Sequence, residues 1–293
     1  MNFLDLPPEL SDPEESGVMI LPIPLDLTVS WKSGTAGGPA AILEASSHIE
    51  YYDEEIQGNP ATLIGGITTH AIPELPGEPA VAMDAIEALA SGLLRRERTL
   101  ISLGGEHSIT YPLVKAHQRE WPDLSVLQID AHADLRDTYN GSRFNHACPM
   151  RRIMEEGVHV TAVGIRSVDE SEAPLLDGVL RTTFLAHERV GSMEERTAAI
   201  ISAIPGDDVY LTIDLDGLDS SLVPAVGTPV PGGLEWYETL SLLRALCMEK
   251  RVVGADVVEL CPGEGMHASD SVAARLVFKL VAYLGLNRGG TGL

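Results

Sequence analysis

The feature that most constrains this chain is a pair of apolar runs that each end in acid. Leu124–Ile129 leads directly into Asp130-Ala131-His132-Ala133-Asp134, and Val209–Ile213 into Asp214-Leu215-Asp216. An apolar run of that length without alternation reads as a strand covered on both faces, the habit of parallel sheets. On an extended backbone, side chains at i, i+2 and i+4 share one side. Asp130, His132 and Asp134 can therefore converge, and so can Asp214 and Asp216. Carboxylates gathered at the mouth of a buried sheet repel one another unless a cation sits among them. A metal ion, or a pair of them, is the simplest such cation.

The same rhythm runs through the rest of the chain. Val18–Ile23, Thr99–Leu103, Val158–Ile165 and Val252–Leu260 also read as strands. Helical patterns fall between them: a start at Pro39, then Ala80–Arg96, Thr110–Glu120, Met150–Glu156, Ser192–Ile204, Leu234–Lys250 and Ser269–Leu286. This alternation predicts an α/β fold, a three-layer doubly wound parallel sheet with helices on both faces. No repeat or linker divides the 293 residues, so residues 1–293 read as a single domain. Gln57–Pro79 reads as a surface insertion, whereas Asp134–Pro149 lies against an acidic run and reads as part of a site.

Charge narrows the partners. Lys plus Arg number 20 against 43 Asp plus Glu, a formal charge of −23. Such a surface disfavours nucleic acid and anionic membrane and suits the approach of cations. No segment reaches the roughly 18 uncharged apolar residues of a membrane span. The best candidate, Val272–Leu286, carries Arg275 and Lys279 at helical spacing and reads as an amphipathic helix. Met1–Ser16 is acidic and proline-bearing, unlike a signal peptide. Cys148, Cys247 and Cys261 make no disulfide framework, which points to a cytoplasmic protein.

In open α/β sheets ligands bind beyond the carboxyl ends of the strands. Gly104-Gly105-Glu106-His107-Ser108 follows one strand, the two acidic runs follow two others, and Glu259 ends a fourth. His107, Asp130, His132, Asp134, Asp214 and Asp216 thus form a candidate metal-binding set. Oxygen-rich ligation with some nitrogen and no sulfur favours Mn2+, with Fe2+, Co2+ or Ni2+ as alternatives. The set is too large for one catalytic ion that keeps an open position. It suits two ions per chain, with Asp130 or Asp214 bridging and a hydroxide held between the metals.

These motifs carry a family resemblance. Gly104-Gly-Glu-His-Ser-Ile-Thr110, Asp130-Ala-His-Ala-Asp134, Leu211-Thr-Ile-Asp-Leu-Asp-Gly-Leu-Asp219, Gly227-Thr-Pro-Val-Pro-Gly-Gly233 and Asp256-Val-Val-Glu-Leu-Cys-Pro262 resemble the ureohydrolases, the arginase/agmatinase/formiminoglutamase family. Gly34-Thr-Ala-Gly-Gly-Pro-Ala-Ala-Ile42 is similar to the family's glycine-rich turn into its first helix. The likeness runs from about Pro22 to the last helix. It implies an arginase-like fold, a binuclear manganese site on the same metal-binding set, and hydrolysis of a guanidino group to urea and an amine. It also implies a homo-oligomer, a trimer or a hexamer. His146 matches the family's proton-handling histidine, and Glu259 the glutamate that holds the guanidinium.

There are departures. Glu106 stands where Asp is commoner, Ser220 replaces a usual Pro, and His146 is followed by Ala-Cys rather than His-Gly. Asp134-Leu-Arg-Asp-Thr-Tyr-Asn-Gly141 and His146-Ala-Cys-Pro-Met-Arg-Arg152 resemble prokaryotic agmatinase-like members. The asparagine and serine arrangement with which arginases hold an α-amino acid head is missing. The expected substrate is therefore a small cationic guanidino compound, agmatine (giving putrescine) or an aminopropyl derivative. Arginine, guanidinobutyrate and formiminoglutamate are the alternatives within the family, and a non-catalytic metal-binding member is the alternative outside catalysis. An anionic substrate would need a basic group such as Arg136 or Arg143 at the mouth.

The roles that the resemblance implies fit the chemistry. A guanidinium carbon is a poor electrophile, so water must be activated by the metals. Glu259 would fix the planar cation by a charge-assisted pair, and His146 would carry a proton to the departing amine. Asp134 is a candidate second proton relay, and Asp137 and Asp169 are candidate partners for a distal ammonium.

Overall fold

The computed structural model describes residues 1–188 and 190–289. In chain order the elements are β1 (Val18–Ile23), α1 (Gly38–Ser46), α2 (Pro60–Ile64), β2 (Ile67–Thr69), α3 (Pro79–Leu93), β3 (Thr99–Gly104), α4 (Thr110–Glu120), β4 (Ser125–Ile129) and α5 (Pro149–Glu155). There follow β5 (His159–Ile165), β6 (Arg181–Leu185), α6 (Met193–Ser202), β7 (Asp208–Asp214), α7 (Trp236–Glu249), β8 (Arg251–Val258) and α8 (His267–Gly289). Helix starts follow local chemistry. Prolines open α2, α3 and α5, where a missing N–H costs nothing. Asn59 and Glu78 cap α2 and α3 with their side chains, and Ser192 with Glu195 forms a capping box on α6.

The strands form one eight-stranded sheet in the order β2-β1-β3-β8-β7-β4-β5-β6. Each pairing is parallel. Side chains alternate between two cores. Val18 and Ile20 of β1 face the core shared with α1, α2, α6, α7 and α8. Met19, Leu21 and Ile23 face the core shared with α3, α4 and α5. The expected three-layer parallel architecture is present.

Register places the functional strand ends level with one another. Ile129 pairs with Ile213, and Ile213 with Val257. Asp130, Asp214 and Val258 thus leave the sheet at one height. The strand order also reverses around β8 and β7, the place where such sheets open a crevice.

Two expectations need correction. Gln57–Pro79 is not a plain insertion, because it contains α2 and the edge strand β2, which pairs with β1. Val272–Leu286 is helical, within α8, but it is not amphipathic. It is packed in the core, and Lys279 is only 2% exposed. The lysine is buried because Asp53, Glu54 and Glu55 surround its Nζ at 2.8, 3.0 and 3.2 Å. Among the described residues no helix is long and apolar enough to cross a membrane.

Candidate metal centre

The four central strands β3, β8, β7 and β4 deliver the polar motifs to one rim. His107 opens a 3-10 turn after β3, Asp130 directly follows β4, and Asp214 ends β7 with Asp216 in the next turn. The strand ends are pressed together. A Cβ on Gly217 would lie 2.6 Å from the Asp130 nitrogen, so only glycine lets that turn sit against the acidic run. Asp134 and Glu259 both have left-handed backbones, with φ of 53° and 67°. Strain of this kind in non-glycine residues collects at functional sites.

Side chains from all four motifs meet around His107. Its Nδ1 lies 3.2 Å from Asp130 Oδ2, 3.0 Å from Asp134 Oδ2 and 3.3 Å from Asp214 Oδ2. Nε2 lies 2.8 Å from Thr212 Oγ1, and the Thr212 hydroxyl donates to Asp256 Oδ1 at 2.6 Å. With its proton so directed, Thr212 accepts from Nε2–H, and in the neutral ring the Nδ1 lone pair faces three carboxylates. That nitrogen is buried with no hydrogen-bond partner. An arrangement of lone pairs pointing at one another is the donor set of a cation site.

A second group adjoins the first. His132 Nδ1 lies 3.0 Å from Asp216 Oδ2 and 3.8 Å from Asp130 Oδ1. His107, Asp130 and Asp134 form one potential ion-holding group, and Asp130, His132 and Asp216 form the other, with Asp130 common to both. The residues present therefore fit a pair of ions. Hydrogen bonds hold the carboxylates in place: Gln128 Nε2 donates to Asp130 at 2.7 Å, and the Ala131 amide to Asp216 at 3.1 Å. Behind Gln128 stands Arg181, 1% exposed, which donates to Gln128 Oε1 at 3.1 Å.

The electrostatics show what the crowding costs. Burial, with Asp130 adding to it, pushes the Asp134 carboxyl up to about 7. Burial, then Asp216 and Asp130, pushes Asp214 well above the carboxylate range. Burial opposes charge on His107 and His132 too. Even so, the carboxylates hold His107 well above the ordinary imidazole range, and Asp216 raises His132 to about 10. Each of these shifts favours the uptake of positive charge at the cluster.

A cavity of about 190 Å³ opens over this cluster and reaches His107, His132, Asp134 and Asp214. Glu259, His146, Arg136 and Tyr139 also line its wall. Glu259 Oε1 accepts from the His107 amide at 2.7 Å, and burial pushes its carboxyl up to about 8. His146 is half-buried and stacks on Tyr139 with centroids 6.4 Å apart. Burial, then the neighbouring His107 and His132, brings its imidazole down to about 4. Cavities of about 400 and 690 Å³ lie elsewhere, but neither borders the two ligand groups.

Asp137 and Asp169 do not line the cavity. Arg152 holds Asp137 at 2.7 Å, and Arg136 holds Asp169 at 3.1 Å. The supports Thr212, Gln128, Arg181 and Asp256 lie outside the candidate set that the sequence motifs mark. An acid inside the buried strand β8 was the available signal for Asp256.

Comparison with known proteins defines the class. The arginase family model matches residues 16–282. N(1)-aminopropylagmatine ureohydrolase of Synechocystis sp. is 39% identical over 276 residues, covering 92% of this chain and 90% of that protein. Agmatinase of Pyrococcus horikoshii is 36% identical over 275 residues, covering 92% and 93%. The crystal structure of agmatine ureohydrolase of Thermoplasma volcanium superposes with a TM-score of 0.86 at 27% identity, covering 97% of this chain and 95% of that one. The chain belongs to the arginase family.

Proposed function

We propose that this protein is a metal-dependent hydrolase of linear amidines that cleaves the guanidino group of a small cationic substrate. The products are urea and an amine. The substrate is agmatine, giving putrescine, or its aminopropyl derivative. One observation carries the reading: two ion-holding groups share Asp130 beneath a cavity that also presents Glu259 and His146. The names of the relatives, agmatinase and aminopropylagmatine ureohydrolase, support the substrate class.

His107, Asp130, Asp134 and Asp214 would hold one divalent ion, and Asp130, His132 and Asp216 the other. Mn2+ suits this mixture of carboxylate and imidazole. When bound, the ions bring the pKa of water toward neutrality and so supply a nucleophile. Glu259 binds the guanidinium. An arriving cation draws its raised carboxyl back to the ionised form, and the resulting pair orients the planar group. His146, neutral at pH 7, takes up a proton at its imidazole and passes it to the leaving nitrogen. Asp134, on the same cavity wall as His146, is the second candidate to relay that proton.

The same reading takes residues 1–293 as one ureohydrolase domain, acting in the cytoplasm as a homo-oligomer, trimer or hexamer. One sheet with strands from Val18 to Val258, and three buried free cysteines, support the first two points.

The test is a substrate panel on Mn2+-reconstituted protein: agmatine, N(1)-aminopropylagmatine, arginine, guanidinobutyrate and formiminoglutamate, read for urea and formamide. Urea from the first two with none from arginine is the expected result. No urea from any guanidino compound would end the proposal.

A further inference from the structure

Glu106 precedes His107 and is fully buried, yet it faces the rim rather than the ion cluster. Its Oε2 accepts from the amides of Leu27 at 2.8 Å and Thr28 at 2.6 Å. Its Oε1 accepts from the hydroxyls of Thr28 at 2.8 Å and Ser108 at 2.6 Å. A buried carboxylate with this many donors is stable without a cation partner. The segment it grips lies flat on the end of β3. The Leu25 oxygen accepts from the Glu106 amide at 2.8 Å, and a Cβ on Gly105 would come within 1.9 Å of that oxygen.

Thr28 then reaches the other mouth loop. Its Oγ1 accepts from the His146 amide at 3.0 Å, and its carbonyl accepts from Asn145 Nδ2 at 3.1 Å. The Thr28 hydroxyl thus donates to Glu106 and accepts from His146. The His146 ring stacks on Tyr139 and makes no hydrogen bond among the described residues. Apart from that stacking, its height over the ligand cluster is set through the main chain. Besides Thr28, the loop's main-chain groups near this point are held by the bonds from Arg136 N to Ala147 O at 3.1 Å, from Arg151 N to Asp134 O at 3.3 Å, from Cys148 N to Asn145 O at 2.9 Å and from Ala147 N to Asn145 Oδ1 at 3.0 Å.

We propose that Thr28, fastened by the Glu106 carboxylate, is a positioning residue for His146. The chain Glu106–Thr28–His146 ties the proton-handling loop to the strand end that carries His107, so that the imidazole and the ion cluster keep one fixed separation. Asp at position 106 would be one methylene shorter, and the longer Glu side chain is what spans from the strand end to both Leu27 and Thr28. The inference rests on the proposed proton role of His146.

The experiment compares Thr28→Val, Thr28→Ser, Asn145→Ala, His146→Ala and the Thr28→Val/His146→Ala double variant. Each is loaded with Mn2+, assayed on agmatine and checked for metal content. Amide hydrogen exchange is followed on the metal-free protein. Thr28→Val is expected to lower kcat about tenfold to a hundredfold, the cost of displacing a catalytic group by about an ångström. KM and metal content stay unchanged, and protection of the His146 amide is lost. Thr28→Ser keeps the hydroxyl and restores both kcat and protection. Asn145→Ala, which cuts the second link without touching Glu106 and also frees the Ala147 amide that Asn145 Oδ1 holds at 3.0 Å, lowers kcat in the same direction. The double variant is no slower than His146→Ala.

Unchanged kcat in Thr28→Val beside a crippled His146→Ala would overturn the positioning role alone. So would a double variant slower than His146→Ala by the full Thr28→Val factor. Wild-type kcat in His146→Ala would instead remove the proton role, and the inference with it.

Discussion

The Nε2 of His107 and the Oγ1 of Thr212 stand 2.8 Å apart, and the Thr212 hydroxyl donates onward to Asp256. Asp256 also accepts from Tyr210 at 2.8 Å and Thr110 at 2.9 Å, so the relay is fixed at its far end. This support selects the His107 tautomer whose Nδ1 lone pair faces the carboxylates. Outer partners of ligating histidines are typically worth tenfold to a hundredfold in metal affinity. Thr212→Val should therefore weaken Mn2+ binding by about that factor while the fold persists. A calorimetric titration reads it, and unchanged affinity would remove the relay from the account.

Substitutions at the cavity should separate metal holding from substrate holding. His132→Ala and Asp134→Ala are expected to abolish turnover with loss of one or both ions. Glu259→Gln should keep the ions and raise KM strongly, because the guanidinium loses its charged partner. Full activity in His132→Ala would contradict the ligand assignment.

Lys279 is held by three carboxylates from the turn before α2, and one of them, Asp53, is fully buried. Removing the cation leaves Asp53 without a charged partner among the described residues, with only the Glu55 and Ile56 amides on its Oδ1. Lys279→Ala should cost about 3–5 kcal/mol, the usual result of breaking a buried pair from one side. Denaturant unfolding measures it. A loss below 1 kcal/mol would mean that water reaches Asp53.

His117 gives the fold a pH dependence of its own. Its Nδ1 lies 2.7 Å from the Leu113 carbonyl, and its Nε2 is buried without a partner against Gly254. Burial lowers the imidazole from 6.5 to about 4. The unfolded chain therefore binds a proton that the folded chain refuses. The stability is fully present above about 6.5 and is lost progressively as pH falls toward 4. The loss reaches about 2 kcal/mol at pH 5. His117→Leu should flatten the difference between unfolding curves at pH 7.5 and pH 5, and an unchanged difference would contradict the assignment.

The sheet's centre was legible in the sequence and its edges were not, for one physical reason. The strands β3, β4, β7 and β8 are covered on both faces and so read as apolar runs. The edge strands β2, Ile67-Thr68-Thr69, and β6, Arg181-Thr182-Thr183-Phe184-Leu185, carry polar residues that hide them. The candidate ion-holding residues were legible because they cluster in short motifs at the ends of apolar runs, although turns at Asp134 and Asp216 and neighbouring strand ends bring them together. Their supports were not, because Thr212 and Asp256 meet only through the register of β7 on β8, where they lie directly opposite. Asp137 and Asp169 pair with Arg152 and Arg136, partners that nothing in the sequence announces.

Metal stoichiometry tests the central claim most directly. Metal-free protein titrated with Mn2+, freed of excess ion and subjected to elemental analysis, should hold two ions per chain, one for each of the groups that share Asp130. Anomalous scattering from Mn2+-soaked crystals should place both between β3, β8, β7 and β4. An empty pocket at saturating Mn2+ would contradict the account.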